Sequence, residues 1–381
     1  MKLHLYILRE LIVGFAFTLG GVLVLTLPAI TAVTVHKLAG VPVSAMLLYI
    51  PLVQAGLIPY VLPLSFLLSV VSTYGRLAAD NEWTAIRMSG RNPVECLLPG
   101  LVMSVALGLL TLWLLSNKLP EIRLRENAYK SEVVAQAFRN ISPGRTEFHL
   151  EEFYVSAASR EGDDFIDAFV HVPASKRGWA TRRPAEGEPD VDGRAATDGA
   201  VPEPARPAQT ILAERVRFTT DEDNIYAHLI NARSFVDGQD LRLGYMEVRF
   251  DLELLRGQRS PSSKTRYMKS GEMREELRDP DIDPKRAAIL RYDIHQRRAL
   301  ASTCLMFLLL GAPTALLLRR GTQLLATAVA VGYVLLYYLL SMRAGKLLAQ
   351  AQVVSPEVAA WSVVAVGTLA GVVLTWRALR E

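Results

Sequence analysis

Only two cysteines occur in the 381 residues, Cys96 and Cys304, and both fall in or beside apolar runs. The long polar stretch between those runs contains none. No disulfide framework holds it together, so whatever folds there must rely on a packed core. A Gly-rich phosphate loop ending in Gly-Lys-Ser/Thr, a histidine pair at metal-ligand spacing and a serine elbow of the G-x-S-x-G kind are also missing. The sequence therefore offers no template for catalysis. The net charge of +4 is no nucleic-acid signal either, because much of the basic excess sits beside the apolar runs.

What the chain does have is apolar sequence in two blocks of three. Runs fill roughly residues 11–34, 47–74 and 95–117, then 299–318, 323–342 and 356–376. Each is about long enough to cross a ~30 Å hydrocarbon core at 1.5 Å per residue. A mean hydropathy of +0.22 with 21% charged residues conceals this by averaging over two solvents. The expected fold class is a membrane α-helical protein with a β-domain inserted between its third and fourth spans. The segments are 1–117, 118–282 and 283–381.

Orientation follows from the basic residues in the short flanks. Lys2, Arg9, Arg76, Arg87, Arg91, Arg319, Arg320, Arg377 and Arg380 collect on one side, while the other has Lys37, Arg343 and Lys346. This predicts cytoplasmic termini and an outer position for residues 118–296. The first run is too long for a signal peptide and lacks a small-residue cleavage site, so it reads as a retained helix.

In the polar block, short β-rich runs occur at Glu147–Ser156, Asp164–Val172, Thr210–Thr219, Asn224–Val236 and Gln239–Leu254. Gly, Asp and Asn clusters separate them, which suggests an antiparallel sandwich, a jelly roll or a related open β-structure. Residues 175–209 are rich in Pro, Gly, Ala, Arg and acids and are expected to form a disordered insertion. A second polar connector, 256–283, leads to Asp283-Pro284, an N-cap followed by Pro at the first position of a helix that runs through Arg297 and Arg298 into the fourth span.

Three histidines, His149, His171 and His228, can be imagined converging on a metal, although half-exposed strand histidines are the commoner case. Asp279, Asp281 and Asp283 can mimic a metal-diphosphate site, but their place before a helix favours capping.

The informative constellation joins the second and third runs: Tyr74-Gly-Arg-Leu-Ala-Ala-Asp-Asn-Glu-Trp-Thr-Ala-Ile-Arg-Met-Ser-Gly90. Asp80 or Asn81 can cap a short helix with Glu82 in its first turn, and Gly90 can close it. Trp83, Ile86 and Arg87 share one side at i, i+3 and i+4 spacing, which predicts an exposed aromatic beside a charge. Such a helix is either an interfacial anchor or a docking knob for a cytoplasmic protein.

This loop resembles the signature of the LptF/LptG lipopolysaccharide-export permeases. Pro59-Tyr60-Val-Leu-Pro63, the segment Asn117 to Arg125, Tyr292-Asp-Ile-His-Gln-Arg-Arg-Ala-Leu300 and Gly311-Ala-Pro313 resemble further parts of that family. The layout is similar over essentially the whole chain. The resemblance implies one subunit of an exporter in the bacterial inner membrane, paired with a homologous six-span subunit. It also implies a cytoplasmic ABC ATPase dimer docked on the coupling helix at Glu82, Trp83, Ile86 and Arg87. ATP is then used by that partner, and this chain binds no cofactor and is not itself an enzyme.

The implied substrate is lipopolysaccharide, taken from the periplasmic leaflet through gates at the first and fifth spans. A periplasmic jellyroll passes it to a bridge protein with a β-jellyroll of its own. Cations at the outer ends of the gate helices suit an anionic headgroup, which singles out Lys37, Arg343 and Lys346; the competing reading is snorkelling to phospholipid. The 175–209 insertion is not part of the family pattern. The span-four entry leans towards the F-type subunit, and export of another lipid, a lipid-modifying enzyme or a non-transporting scaffold or sensor are the alternatives.

Overall fold

A computed structural model describes residues 2–37, 43–90, 92–139, 147–150, 153–161, 164–172, 181–182, 209–220, 224–236, 239–251, 265–318, 323–341 and 354–380. The helices among them are α1 (Lys2–Lys37), α2 (Val43–Ala79), α3 (Glu82–Met88), α4 (Leu98–Trp113), α5 (Leu119–Arg139), α6 (Ser270–Glu276), α7 (Pro284–Leu317), α8 (Gln323–Leu339) and α9 (Pro356–Arg380). A one-turn π segment, Leu114–Lys118, joins α4 to α5. The third apolar run thus belongs to a helical stretch that continues past Lys118 to Arg139.

Among the described residues, five helical segments are long and apolar enough to cross a membrane: Lys2–Val35, Met46–Ala79, Pro93–Tyr129, Pro284–Leu317 and Pro356–Ala378. A shorter apolar helix occupies Leu324–Leu339, where the fifth of the six spans is expected. The end of that expected span at 342 lies outside the described residues.

The chain divides into two compact units. One comprises Met1–Ala29, Leu52–Leu124 and Lys264–Glu381, and its main apolar cluster centres on α2, α4 and α7. Phe66, Leu67, Val70, Val71 and Tyr74 from α2 are fully buried, as are Cys304, Phe307 and Ala312 from α7. Glycines let these helices approach closely. A Cβ on Gly311 would lie 2.7 Å from Leu67, one on Gly108 2.9 Å from the Ala301 carbonyl oxygen, and one on Gly371 2.8 Å from Leu309 Cβ.

The start of α7 is as the sequence predicts: Asp283 accepts from the Lys285 N–H at 3.1 Å and Pro284 opens the helix. The described part of the polar connector before it, from Thr265, carries short helical turns. Thr265–Tyr267 makes a 3-10 turn, α6 follows, and Met268 and Met273 pack with Leu290 and Ile294 of α7. Arg297 secures this elbow by donating to Ser270 Oγ and to the carbonyls of Thr265 and Met268 at 2.9–3.0 Å.

The other unit comprises Ile30–Pro51 and Arg125–Ser263. It holds a seven-stranded antiparallel sheet of β1 (Glu147–Leu150), β2 (Phe153–Glu161), β3 (Asp164–Val172), β4 (Thr181–Arg182), β5 (Gln209–Thr220), β6 (Asn224–Val236) and β7 (Gln239–Asp251). The order is β1-β2-β3-β5-β6-β7-β4. The first expected run is two strands, β1 and β2, rather than one. One expectation needs correcting. Thr181 and Arg182, inside the stretch read as disordered, pair with Val248 and Glu247 of β7, whose free edge offers unpaired N–H and C=O groups. Residues 183–208 lie outside the described residues.

A transverse fold in the sheet explains why strict alternation is interrupted. Phe165, Val216 and Leu229 are register partners and buried, and so are Ala168, Ala213 and Ala232. Each strand therefore steps by three residues, not two, between its inward positions. Asp167 and Asn231, both with φ of 51°, make this step in β3 and β6. Because neighbouring strands step in the same row, pairing continues on both sides.

Candidate coupling site

The site is built on a reversal of the chain after α2. Asp80 N–H donates to the Arg76 carbonyl at 2.9 Å and Asn81 N–H to that of Ala78 at 3.3 Å, ending α2. Asn81 then takes a left-handed conformation, φ 59°, and its own carbonyl accepts from Ala85 N–H at 3.0 Å to begin α3. Asn is among the few L-residues that adopt this conformation cheaply. The expected side-chain N-cap is not made; backbone reversal replaces it. Gly90, φ 76°, closes the helix as its position suggests, with its N–H bonded to the Arg87 carbonyl at 3.1 Å.

One face of α3 faces the opposite way from the sequence-based expectation. Trp83 is only 3% exposed and belongs to the core cluster with Leu77, Ala78 and Cys96, and Ile86 packs against the same cluster. The i, i+3 pair is the root of the helix rather than its outer surface. Burying the Trp83 ring contributes more than any contact a seven-residue helix makes by itself. Thr84, Ala85 and Met88 face outward, and Met88 is 84% exposed. Glu82 and Arg87 flank this surface, half-buried. Met88 was the residue that sequence reasoning missed. The signal for it was a large apolar side chain, next to Ser-Gly, that falls off the Trp83–Ile86 stripe.

The segment after α3 is pinned too. Asn92 accepts from Val94 N–H at 3.0 Å, starting the 3-10 turn Pro93–Leu97, and Tyr74 Oη donates to the Cys96 carbonyl at 2.9 Å. Both ends of α3 are therefore fixed to α2. From α1, Tyr6 Oη donates towards the Glu82 carboxylate at 3.3 Å, and Glu10 forms an ion pair with Arg76.

The other expected site residues are less defined. Lys37 is the last residue of α1, and its side chain lies outside the described residues, as do Arg343 and Lys346 entirely. His171 and His228 do not meet. His171 shares a row with Thr210 and Phe235, whereas His228 lies seven residues further along β6, roughly 23 Å at 3.3 Å per residue. His228 is instead engaged by Thr219 Oγ1 at 2.8 Å and Tyr245 Oη at 2.7 Å.

An open groove of about 640 Å³ crosses the sheet at its fold, with Asp167 and Glu214 among its lining residues beside Arg233 and Arg242. Its mixed charge does not select an ion of either sign. Elsewhere in the sheet, Arg217 grips buried Asp164 through both guanidinium arms, at 2.5 and 2.9 Å, and this bonding holds the Asp164 carboxyl below its usual range.

Comparison with known families gives one match. The model of the family described as lipopolysaccharide export system permease LptF/LptG aligns with residues 5–377, nearly the whole chain. A comparison with curated proteins finds no match.

Proposed function

This chain belongs to the LptF/LptG family of lipopolysaccharide export permeases, a multi-pass membrane transport component, and we propose that it is one of two six-span subunits driven by a separate ABC ATPase dimer. The observation that carries the reading is the mounting of α3. Trp83 and Ile86 root it in the helical core while Glu82, Arg87 and exposed Met88 are left for a partner. A helix held this firmly between two spans transmits a push rather than absorbing it. ATP hydrolysis belongs to the partner, which agrees with the missing phosphate loop.

In this reading both termini and α3 face the cytoplasm and the sheet faces the periplasm. There the β-domain serves as the jellyroll that passes lipid acyl chains to a bridge protein. In sequence, Lys37 follows the first apolar run and Arg343 and Lys346 follow the fifth, so in this reading they supply cations for a lipid phosphate under weak screening.

The test is co-purification of the full chain with the exporter's ATPase. Removing one partner of a desolvated charged contact typically costs about 2–5 kcal/mol. Glu82→Ala should therefore lose the ATPase and export while inserting normally. Undiminished association and coupled hydrolysis would return α3 to the role of an interfacial anchor.

A further inference from the structure

The N-terminal foot of α1 touches the coupling segment through polar groups that the docking reading leaves unused. Tyr6 and Glu10 lie one turn apart on the same side of α1. Tyr6 Oη sits 3.4 and 3.3 Å from the two carboxylate oxygens of Glu82, and Glu10 is ion-paired with Arg76, six residues before Glu82. Ile7 and Leu11 are fully buried in the same cluster as Trp83.

Besides this packing, α1 is tied to α2 by single hydrogen bonds. Ser69 Oγ donates to the Leu11 carbonyl at 2.8 Å, Thr18 Oγ1 to that of Ser65 at 2.8 Å, and Gln54 Nε2 to that of Leu23 at 3.0 Å. Just 6% of an 18-residue apolar stretch of α1 is buried, and its fully buried residues within the helical unit are Ile7 and Leu11, so the foot is its firmest attachment there.

We infer that Tyr6, supported by the Glu10–Arg76 pair, is a positioning residue that latches α1 to Glu82, and that a docking partner bearing a cation for Glu82 draws the carboxylate away and frees α1. The inference rests on the docking reading above. Its chemistry is a competition for one carboxylate. Glu82 is only half-buried, Tyr6 is 39% exposed, and the phenol-carboxylate contact is long, so the acceptor is open to a stronger donor. A charge-assisted bond is roughly twice as strong as a neutral one and shorter, which favours a cationic newcomer. Linkage then sets a sign: if docking weakens the latch, the latch weakens docking by the same factor.

Tyr6→Phe removes the hydroxyl and keeps the ring. In the full-length chain reconstituted in nanodiscs without ATPase, amide exchange over residues 2–13 should rise about two- to tenfold, the range for losing one hydrogen bond. Unchanged exchange there overturns the latch. With purified ATPase added, the wild-type foot should lose protection, and Tyr6→Phe should dock about two- to tenfold more tightly. A residue that merely stabilised α3 would instead weaken docking when altered. Weaker docking by Tyr6→Phe, or a wild-type foot that stays protected while ATPase is bound, also overturns the proposal. If Glu82→Ala binds ATPase as well as wild type, the docking reading falls, and the ATPase-free arm still decides whether the latch exists.

Discussion

Two of the apolar segments, Lys2–Val35 in α1 and Pro284–Leu317 in α7, are each 34 residues long, and an 18-residue stretch in each has a mean hydropathy of 2.2 and 1.9 respectively. Yet 6% of the first 18-residue stretch and 78% of the second is buried. Hydropathy identifies a segment that prefers hydrocarbon and says nothing of which hydrocarbon, lipid or protein. What separates the two helices is how closely their neighbours approach. α7 is met on three sides by glycines: Gly108 of α4 against Ala301, Gly367 and Gly371 of α9 against Met306 and Leu309, and its own Gly311 against α2. α1 keeps Leu5, Ile12, Val13, Phe17 and Leu25 exposed, and apart from the apolar foot at Ile7 and Leu11 it is tied to α2 by hydrogen bonds. In a membrane such bonds contribute only about 0.6 kcal/mol each on average, which suits a helix that moves.

The comparison is most exposed to failure at Gly371. A Cβ there falls 2.9 Å from the Leu309 carbonyl carbon, which is backbone and cannot rotate away. Gly371→Leu should separate α9 from α7 and cost at least the 1–3 kcal/mol (roughly) of ordinary overpacking, read as loss of detergent-stable monomer on heating. Gly14→Leu in α1 is the matched control. Its nearest neighbour is the Ser69 side-chain oxygen at 3.0 Å, which can turn aside. A loss for Gly14→Leu of about 1 kcal/mol or less is expected; equal losses at the two positions would erase the distinction between a packed and a lightly held helix.

The Lys37 end of α1 sharpens the contrast functionally. If Lys37 holds an anionic lipid headgroup, Lys37→Glu should impair lipopolysaccharide export much more than Lys37→Gln, since reversal adds repulsion to lost attraction. Equal export defects, or photo-crosslinks from position 37 to ordinary phospholipid alone during active export, would mark Lys37 as an interfacial anchor.

Much of this architecture was legible because its signals are local. Asp283-Pro284 announces α7 within two residues, Gly90 closes α3, and β3, β5, β6 and β7 begin within one residue of their β-rich runs. What was not legible depends on neighbours. The spacing of Trp83 and Ile86 shows that they share a face, but whether that face points in or out is decided by Leu77, Ala78 and Cys96. The step at Asp167 and Asn231 breaks the period of two in several strands at once, and only the register reveals that the breaks align. α6 carries one fully buried side chain, Met273, too little for a periodic signal.

The sheet provides the smallest expected effect. It is clamped by an ion pair where the helical unit uses glycine contacts. Because Arg217 depresses the Asp164 carboxyl, the stabilisation is present above the unfolded value of about 3.9 and is lost as pH falls through the lower folded value. Arg217 is 57% exposed, so screening limits the contribution to about 1 kcal/mol. Protection factors in β3 and β5, taken relative to the intrinsic exchange rate at each pH, should fall on acidification below about pH 4 in wild type, and Asp164→Asn should show the lower protection already at neutral pH with little further change.

Docking at α3, headgroup capture at Lys37 and hand-off by the sheet all require α3 and the sheet to lie on opposite sides of the membrane. The native cysteines, Cys96 and Cys304, are both buried, so a cysteine introduced at Asp190 can be labelled against a quiet background. In intact spheroplasts an impermeant maleimide added outside should label Asp190→Cys and leave Met88→Cys unmodified until the membrane is opened. Labelling of Asp190→Cys only after permeabilisation, with Met88→Cys reactive from outside, would contradict the orientation and the export role with it.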